Sequence, residues 1–253
     1  MKPFINQFEL HFKRLVLRDL KSYIAALIFP IFFYYLYTRV FAWEMSAEML
    51  KIWQLDYMIS MIIYGNLITS IQVISSSLVK DHQDYFDLFV ILSPKSKFYY
   101  YWMLVLVYFS LNALIFMLIS SLAFFLNQVS LPLLSYLVLL VFSLFASAIF
   151  SLLGILLAQL NNSLLVNILT NLLVFPLAIL GGLWWPIEIM PGWLQDIGKL
   201  LPTYQSAALC RQFIHQGQMS VALLLHLLSW ALGLSLLILV LVKWIPYKEP
   251  KTS

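Results

Sequence analysis

The sequence contains very few charged side chains. Aspartate, glutamate, lysine and arginine make up 10% of its 253 residues, whereas soluble domains contain about 25%. Hydrophobic residues make up 62%, and the alternating apolar pattern of a membrane β-barrel is missing. We therefore expect an all-α integral membrane protein, because a helix satisfies its own backbone hydrogen bonds inside the bilayer.

Cysteines and catalytic motifs are equally scarce. The single cysteine, Cys210, excludes an intrachain disulfide, and no small-residue cleavage site follows the basic N-terminus, so the first span should stay attached. The sequence contains no phosphate-binding loop, no H-E-x-x-H and no G-x-S-x-G. We expect this chain to have no catalytic activity, no metal site and no cofactor of its own, and nucleic acid is not an expected partner.

Long apolar segments predict six membrane-spanning helices. Basic residues resist translocation, and all but four of the 15 lysines and arginines fall on one side if both termini face the cytoplasm. Residues 181–218 would then face outward. The six predicted spans run roughly over residues 22–41, 52–79, 98–126, 133–158, 164–183 and 219–243.

Three other segments are not expected to span the membrane: two lie along it, and residues 80–92 either sink into the lipid headgroups or dock on a protein. Residues 1–20 have apolar and basic faces, which predicts an interfacial helix on the inner leaflet; the alternative is a frayed basic flank that only sets topology. Residues 80–92 begin with acidic side chains and precede a Ser-Pro stop, which predicts a short cytoplasmic helix. Residues 184–215 predict two short re-entrant helices, the first starting at Pro191 and ended by Pro202, with tryptophans at interfacial depth.

The outward segment also carries a family pattern. The stretch GGLWWPIEIMPGWLQDIGKLLPTYQSAALCR closely resembles the signature of ABC-2 type permeases, the membrane subunits of type V ABC exporters. The cytoplasmic loop is similar to that family too, except that Tyr85 stands where members usually carry glycine. The residues of this outer motif are Trp184, Trp185, Pro186, Glu188, Pro191, Trp193 and Arg211.

The resemblance implies a half-transporter in a bacterial cytoplasmic membrane. Two permease chains, identical or paralogous, would pair, and a separate cytoplasmic ATPase that binds ATP and Mg²⁺ would sit under each, two copies per complex. The ATPase would contact the 80–92 coupling helix and the N-terminal helix. The residues expected to couple to it are Asp81, Asp84, Tyr85, Phe86, Leu88 and Phe89.

Polar side chains inside two predicted spans indicate where cargo could pass. They repeat at helical spacing in spans two and five, and the resemblance implies a path lined largely by these helices from two subunits. The alternative is hydrogen bonding between helices without any contact with cargo. The candidate path residues are Asn66, Thr69, Ser70, Gln72, Asn167, Thr170 and Asn171.

The expected function is export of a hydrophobic or amphipathic substrate, such as a drug, peptide or lipid. Export of a polysaccharide or glycolipid by the same superfamily is the alternative. An ion-coupled transporter usually keeps ionisable groups in mid-membrane, and the predicted spans hold almost none. A membrane enzyme would need a catalytic group, and His226 in span six is better explained by packing. Residues 1–253 are expected to form one transmembrane domain.

Overall fold

The protein is a bundle of α-helices in the computed structural model, which describes residues 2–18, 20–42, 45–86, 92 and 97–244. No strand occurs among these described residues. The α-helices are α1 (Lys2–Arg18), α2 (Leu20–Tyr35), α3 (Ala47–Ile68), α4 (Ile74–Gln83), α5 (Lys97–Asn127), α6 (Leu133–Ala158), α7 (Ser163–Leu180), α8 (Gly192–Leu200), α9 (Pro202–Gln216) and α10 (Val221–Trp244).

Three shorter helical segments interrupt or join these helices. Two are π-helical, Leu36–Val40 and Thr69–Val73, and one is a 3₁₀ turn, Ile187–Ile189. The π-helical segment Thr69–Val73 joins α3 and α4 into one continuous helix. A π-helical turn shifts the side chains that follow it around the helix axis, because each hydrogen bond spans one residue more than in an α-helix.

Five helical segments are long and apolar enough to cross a membrane, and the first expected span coincides with a shorter apolar helix, Ala26–Val40. All of them lie within a few residues of the spans expected from sequence. The five are Ala47–Gln83, Met103–Asn127, Leu133–Ala158, Ser163–Leu180 and Val221–Leu241.

The second of the expected spans is the centre of the bundle. The most apolar window of Ala47–Gln83 is 94% buried, whereas that of Val221–Leu241 is only 11% buried. Helix α3 packs against α2, α5, α6 and α9, and its fully buried side chains include Tyr64 and Leu67. The other helices are therefore arranged around α3 and α4, and α10 lies at the periphery.

Helix α1 rests on the bundle instead of projecting from it. Leu15 is fully buried, and Phe8, Phe12 and Val16 pack with it against α5 and the end of span two. Its opposite side carries an exposed i,i+4 ion pair, Lys13 Nζ to Glu9 Oε1 at 2.6 Å. The predicted amphipathic helix is present over Lys2–Arg18, and Asp19 lies outside the described residues.

One detail of the predicted short helices is wrong. The predicted cytoplasmic helix does not begin at residue 80, because α4 continues without a break to Gln83 and the chain turns at Asp84 and Tyr85. Helix α8 ends at Leu200, directly before Leu201 and Pro202, as expected, and Pro202 occupies the first turn of α9, where proline needs no backbone N–H partner.

Candidate functional site

A charged contact joins α1 to the end of span two. Arg14 Nη1 and Nη2 donate to Asp81 Oδ1 and Oδ2, each at 3.2 Å. The guanidinium carbon of Arg14 also lies 3.7 Å from the ring centre of Phe86. A planar guanidinium is suited to both contacts at once, because it can bind a carboxylate with two nitrogens and stack on an aromatic face. We call Arg14, Asp81 and Phe86 the inner clamp.

The inner clamp changes the interpretation of Asp81. Its carboxylate lies in the last turn of α4, where the exposed helix carbonyls disfavour negative charge, so the predicted stabilisation at a helix start is wrong. The Asp81 side chain is only 5% exposed, and Arg14 supplies the compensating charge. Asp81 therefore anchors α1 to the end of span two, and its role in coupling stays a prediction.

The other expected coupling residues divide into two groups. Asp84 and Tyr85 are exposed at the turn after α4, where a partner could reach them. Leu88 and Phe89 lie outside the described residues. Sequence reasoning missed the role of Arg14, which it counted among the basic residues that set the topology and form the polar face of the N-terminal helix.

Tyr85 has a backbone conformation that explains the family pattern. Its φ is 56°, in the left-handed region that glycine adopts without a steric penalty. Glycine is the residue that the resembling family usually carries at this position. A tyrosine here therefore stores conformational strain of about 1 kcal/mol.

Substitutions at Tyr85 should show this strain. We expect Tyr85→Gly to be more stable to thermal unfolding than Tyr85→Ala by about 1 kcal/mol, because both remove the ring and only glycine relaxes the backbone. Measuring both variants in the same detergent separates the backbone effect from lost side-chain contacts. Equal stabilities would show that the turn is not strained.

Most of the expected path residues of span two lie inside the chain. Asn66 Nδ2 donates to the Ser143 carbonyl of α6 at 3.1 Å, and Asn112 Nδ2 of α5 donates to Ser70 Oγ at 3.2 Å. Asn66, Thr69, Ser70 and Asn112 are all fully buried. In a single chain these groups join three helices. This arrangement agrees with the alternative interpretation of the polar residues, in which they form hydrogen bonds between helices without contacting cargo.

A second group of polar residues lies on the outside of the chain. Asn167 and Asn171 of α7 are exposed, and Ser76 Oγ of α4 lies 3.4 Å from Asn167 Oδ1. Gln72 is half-buried on the same side, whereas Thr170 points inward and donates to the Val166 carbonyl. We call Gln72, Ser76, Asn167 and Asn171 the polar stripe.

The tryptophans of the outer motif occupy different environments. The Trp184 ring centre lies 4.8 Å from that of Phe33 and 5.6 Å from that of Tyr64, and the Tyr57 hydroxyl donates to the Trp184 carbonyl at 3.0 Å. Trp184 thus fixes the outward segment to the bundle. Trp193 at the start of α8 is 64% exposed, as an interfacial tryptophan would be.

A cavity of about 310 Å³ lies between the outer end of α3 and the outer motif. Its wall includes Asp56 and Ser60 from α3, Trp185 and Glu188 from the motif, and Arg211 from α9. Arg211 Nη2 donates to Ser60 Oγ. We call this cavity the outer pocket.

The rest of the outer motif does not all reach this cavity. Pro186 also lines the outer pocket. Pro191 instead occupies the N-cap position of α8, where its carbonyl accepts from the backbone N–H groups of Leu194 and Gln195. Asp56 Oδ1 contacts His215 Nε2 at 2.7 Å, which ties α3 to α9. Asp56 and Ser60 were not predicted to belong to a site. Their i,i+4 spacing on α3, which places them on one face of the helix near its outer end, was the signal that could have indicated it.

Comparisons with known proteins agree with this architecture. A family model described as "ABC-2 type transporter" matches residues 8–214, a range that contains the inner clamp, the polar stripe and the outer pocket. A protein of Bacillus subtilis (strain 168) named "Putative transport permease YvfS" is 25% identical over 234 residues, which cover 92% of this chain and 93% of that protein. No solved structure matches significantly.

Proposed function

Because the chain belongs to the ABC-2 type transporter family, we propose that this membrane transport permease is the membrane subunit of an ATP-driven exporter. Its substrate would be a hydrophobic or amphipathic molecule. Families of this type normally work with an ATPase subunit, and the sequence contains no phosphate-binding loop of its own. ATP and Mg²⁺ would therefore bind to a separate cytoplasmic ATPase, and the permease would contribute the passage.

We further propose that the single domain crosses a bacterial cytoplasmic membrane six times, with both termini inside. The five long apolar segments supply five crossings. Helix α2 and the π-helical segment Leu36–Val40 follow without a break, which supports a sixth. With six spans, α8 and α9 would be re-entrant helices on the outer side.

The observation that carries the transport proposal is the exposure of the polar stripe. Helix α7 is strongly apolar and its most apolar window is only 28% buried, yet Asn167 and Asn171 are on its exposed side. Amide groups facing lipid would be costly. A second permease chain, or a passage between two chains, would cover them.

Helix α10 provides the contrast. Its exposed face carries large aliphatic side chains, including Leu225, Leu232 and Leu236, as expected for a helix in contact with lipid. That face also holds two exposed polar residues, His226 and Ser229, but it has no amide side chain, so the pair of exposed asparagines is a feature of α7. The polar stripe holds no charged group, which favours an uncharged or amphipathic passenger over a small ion.

Reconstitution with the ATPase tests this function. The purified permease should hydrolyse no ATP alone, and hydrolysis and transport should appear when the cognate ATPase is added, in a particle whose mass fits two copies of each subunit. We expect Asn167→Leu with Asn171→Leu to remove most transport. The matched control is His226→Leu with Ser229→Leu on the exposed face of α10, which should transport normally. Equal transport by both pairs would contradict a passage along α7.

Cysteine labelling tests the orientation. Cys210 is buried, and this desolvation raises the pKa of its thiol to about 12, so the reactive thiolate is scarce at neutral pH. A membrane-impermeant maleimide added to intact cells should leave the parent protein unlabelled and should label Trp193→Cys. Labelling of Trp193→Cys only after the cells are opened would place the outer motif inside the cell and contradict the topology.

A further inference from the structure

The outer pocket contains opposite charges that do not neutralise each other. Arg211 and Glu188 both line it, and no ion pair joins them within the part of the chain that the structure describes. Arg211 is half-buried, and within the described part of the chain its guanidinium makes one hydrogen bond, from Nη2 to the hydroxyl of Ser60. A guanidinium carries five N–H donors and pairs best with an anion. Arg211 therefore leaves donors for an anionic group in the pocket that it lines.

The acidic side of the pocket is equally open. His215 contacts the carboxylate of Asp56, so that carboxylate already has a partner. Glu188 is exposed at the pocket and belongs to the 3₁₀ turn Ile187–Ile189. Its carboxylate is available to a cationic group that enters the cavity.

Aromatic side chains form part of the same wall. Trp53 and Trp185 line the outer pocket together with Tyr57. Rings beside a carboxylate attract ammonium groups, because the ring quadrupole and the negative charge act in the same direction. The volume of about 310 Å³ is at the lower end for ligand sites, so it suits a polar head and not a whole lipid.

We propose that the outer pocket binds a zwitterionic group. Its phosphate or carboxylate contacts Arg211, and its ammonium group contacts Glu188 and the aromatic wall. Such a group would be the polar end of an amphipathic substrate, and to that extent the proposal rests on the proposed function. Binding itself needs neither the ATPase nor transport.

The test uses the purified full-length permease and calorimetric titration with defined probes. Glycerophosphoethanolamine carries both charges, glycerol phosphate only the negative one and ethanolamine only the positive one. We expect the zwitterion to bind at least about tenfold more tightly than either single-charge probe, since each lost charged contact weakens binding by about that factor. Dihexanoyl phosphatidylethanolamine distinguishes the source: tighter binding than the head group alone indicates a membrane amphiphile, and equal binding indicates a soluble zwitterion.

Three substitutions locate the site. Glu188→Gln and Arg211→Gln should each raise the dissociation constant for glycerophosphoethanolamine at least about tenfold. Lys199→Gln, an exposed cation of the neighbouring α8 that does not line the pocket, should leave it unchanged. If Arg211→Gln fails to fold, the dissociation constant of Glu188→Gln tests the proposal by itself, because the Glu188 side chain is exposed and its substitution should not prevent folding.

The proposal is overturned if no probe binds, if glycerol phosphate binds as tightly as the zwitterion, or if Glu188→Gln has no effect. These outcomes are separate from a failure of the exporter function. A permease that neither binds an ATPase nor transports could still bind the zwitterion, and an active exporter could fail to bind it.

Discussion

Gly154→Ala should lower the thermal stability of the permease markedly and reduce the amount of folded protein in the membrane. A Cβ atom at residue 154 would lie 2.5 Å from the Ser70 carbonyl oxygen and 3.0 Å from that of Ile71. Both oxygens belong to the backbone of the π-helical segment, so no side-chain rotation relieves the clash. Overpacking costs about 1–3 kcal/mol, and we expect the upper part of that range.

Gly233→Ala is the matched control. Gly233 also lies in a membrane helix, α10, but an added Cβ there meets no atom within 4 Å. We expect this substitution to be neutral or to stabilise by about 0.5–1 kcal/mol, because alanine favours a helix interior over glycine. Equal losses of stability in the two variants would contradict the prediction, because the close approach of α6 to span two would then have no specific effect at Gly154.

The clash would also disturb the polar contacts of span two. Ser70, whose carbonyl faces Gly154, accepts a hydrogen bond from Asn112, and Asn66 one turn earlier donates to the Ser143 carbonyl. Moving α6 away from the π-helical segment would strain both contacts. Gly154→Ala should therefore lose more transport activity than the smaller amount of folded protein explains. A transport assay normalised to the amount of folded permease measures this difference.

The positions of the spans were predictable because long apolar segments have few alternatives in a membrane protein. The ranges expected for spans three, four and six agree with α5, α6 and α10 to within about two residues. The π-helical segment was not predictable, because its register depends on the packing of α6 against it. Around that segment the polar residues change environment: Asn66 and Ser70 are buried, whereas Gln72 and Ser76 are half-buried.

The inner clamp was not predictable for a different reason. Arg14 and Asp81 are 67 residues apart in sequence, and no helical periodicity relates residues on separate helices. The strained Tyr85 did leave a signal, because it replaces the glycine of the family pattern. Only the positive φ of Tyr85 explains why glycine suits this position.

Breaking the inner clamp should have the second large effect. Arg14→Ala leaves the buried Asp81 carboxylate without its bidentate partner, which we expect to cost about 3 kcal/mol of unfolding free energy. Arg14→Lys keeps the charge but loses the planar fork and the contact with Phe86, so its loss should be intermediate. Thermal unfolding in detergent measures both. Lys13→Ala is the control on the same helix, because its pair with Glu9 is exposed and should contribute little.

Substitutions of Asp81 and Asp84, at and after the end of α4, should then distinguish an effect on stability from an effect on ATPase docking. Asp81→Lys places a cation beside Arg14 in a buried position and should unfold the permease. Asp84→Lys changes an exposed residue and should lower stability far less than Asp81→Lys, while weakening co-purification of the ATPase. If Asp84→Lys bound the ATPase normally and Arg14→Ala did too at matched amounts of folded protein, the turn would have no part in docking. The inner clamp would then only hold α1 against the bundle, and the ATPase would have to bind elsewhere on the cytoplasmic side.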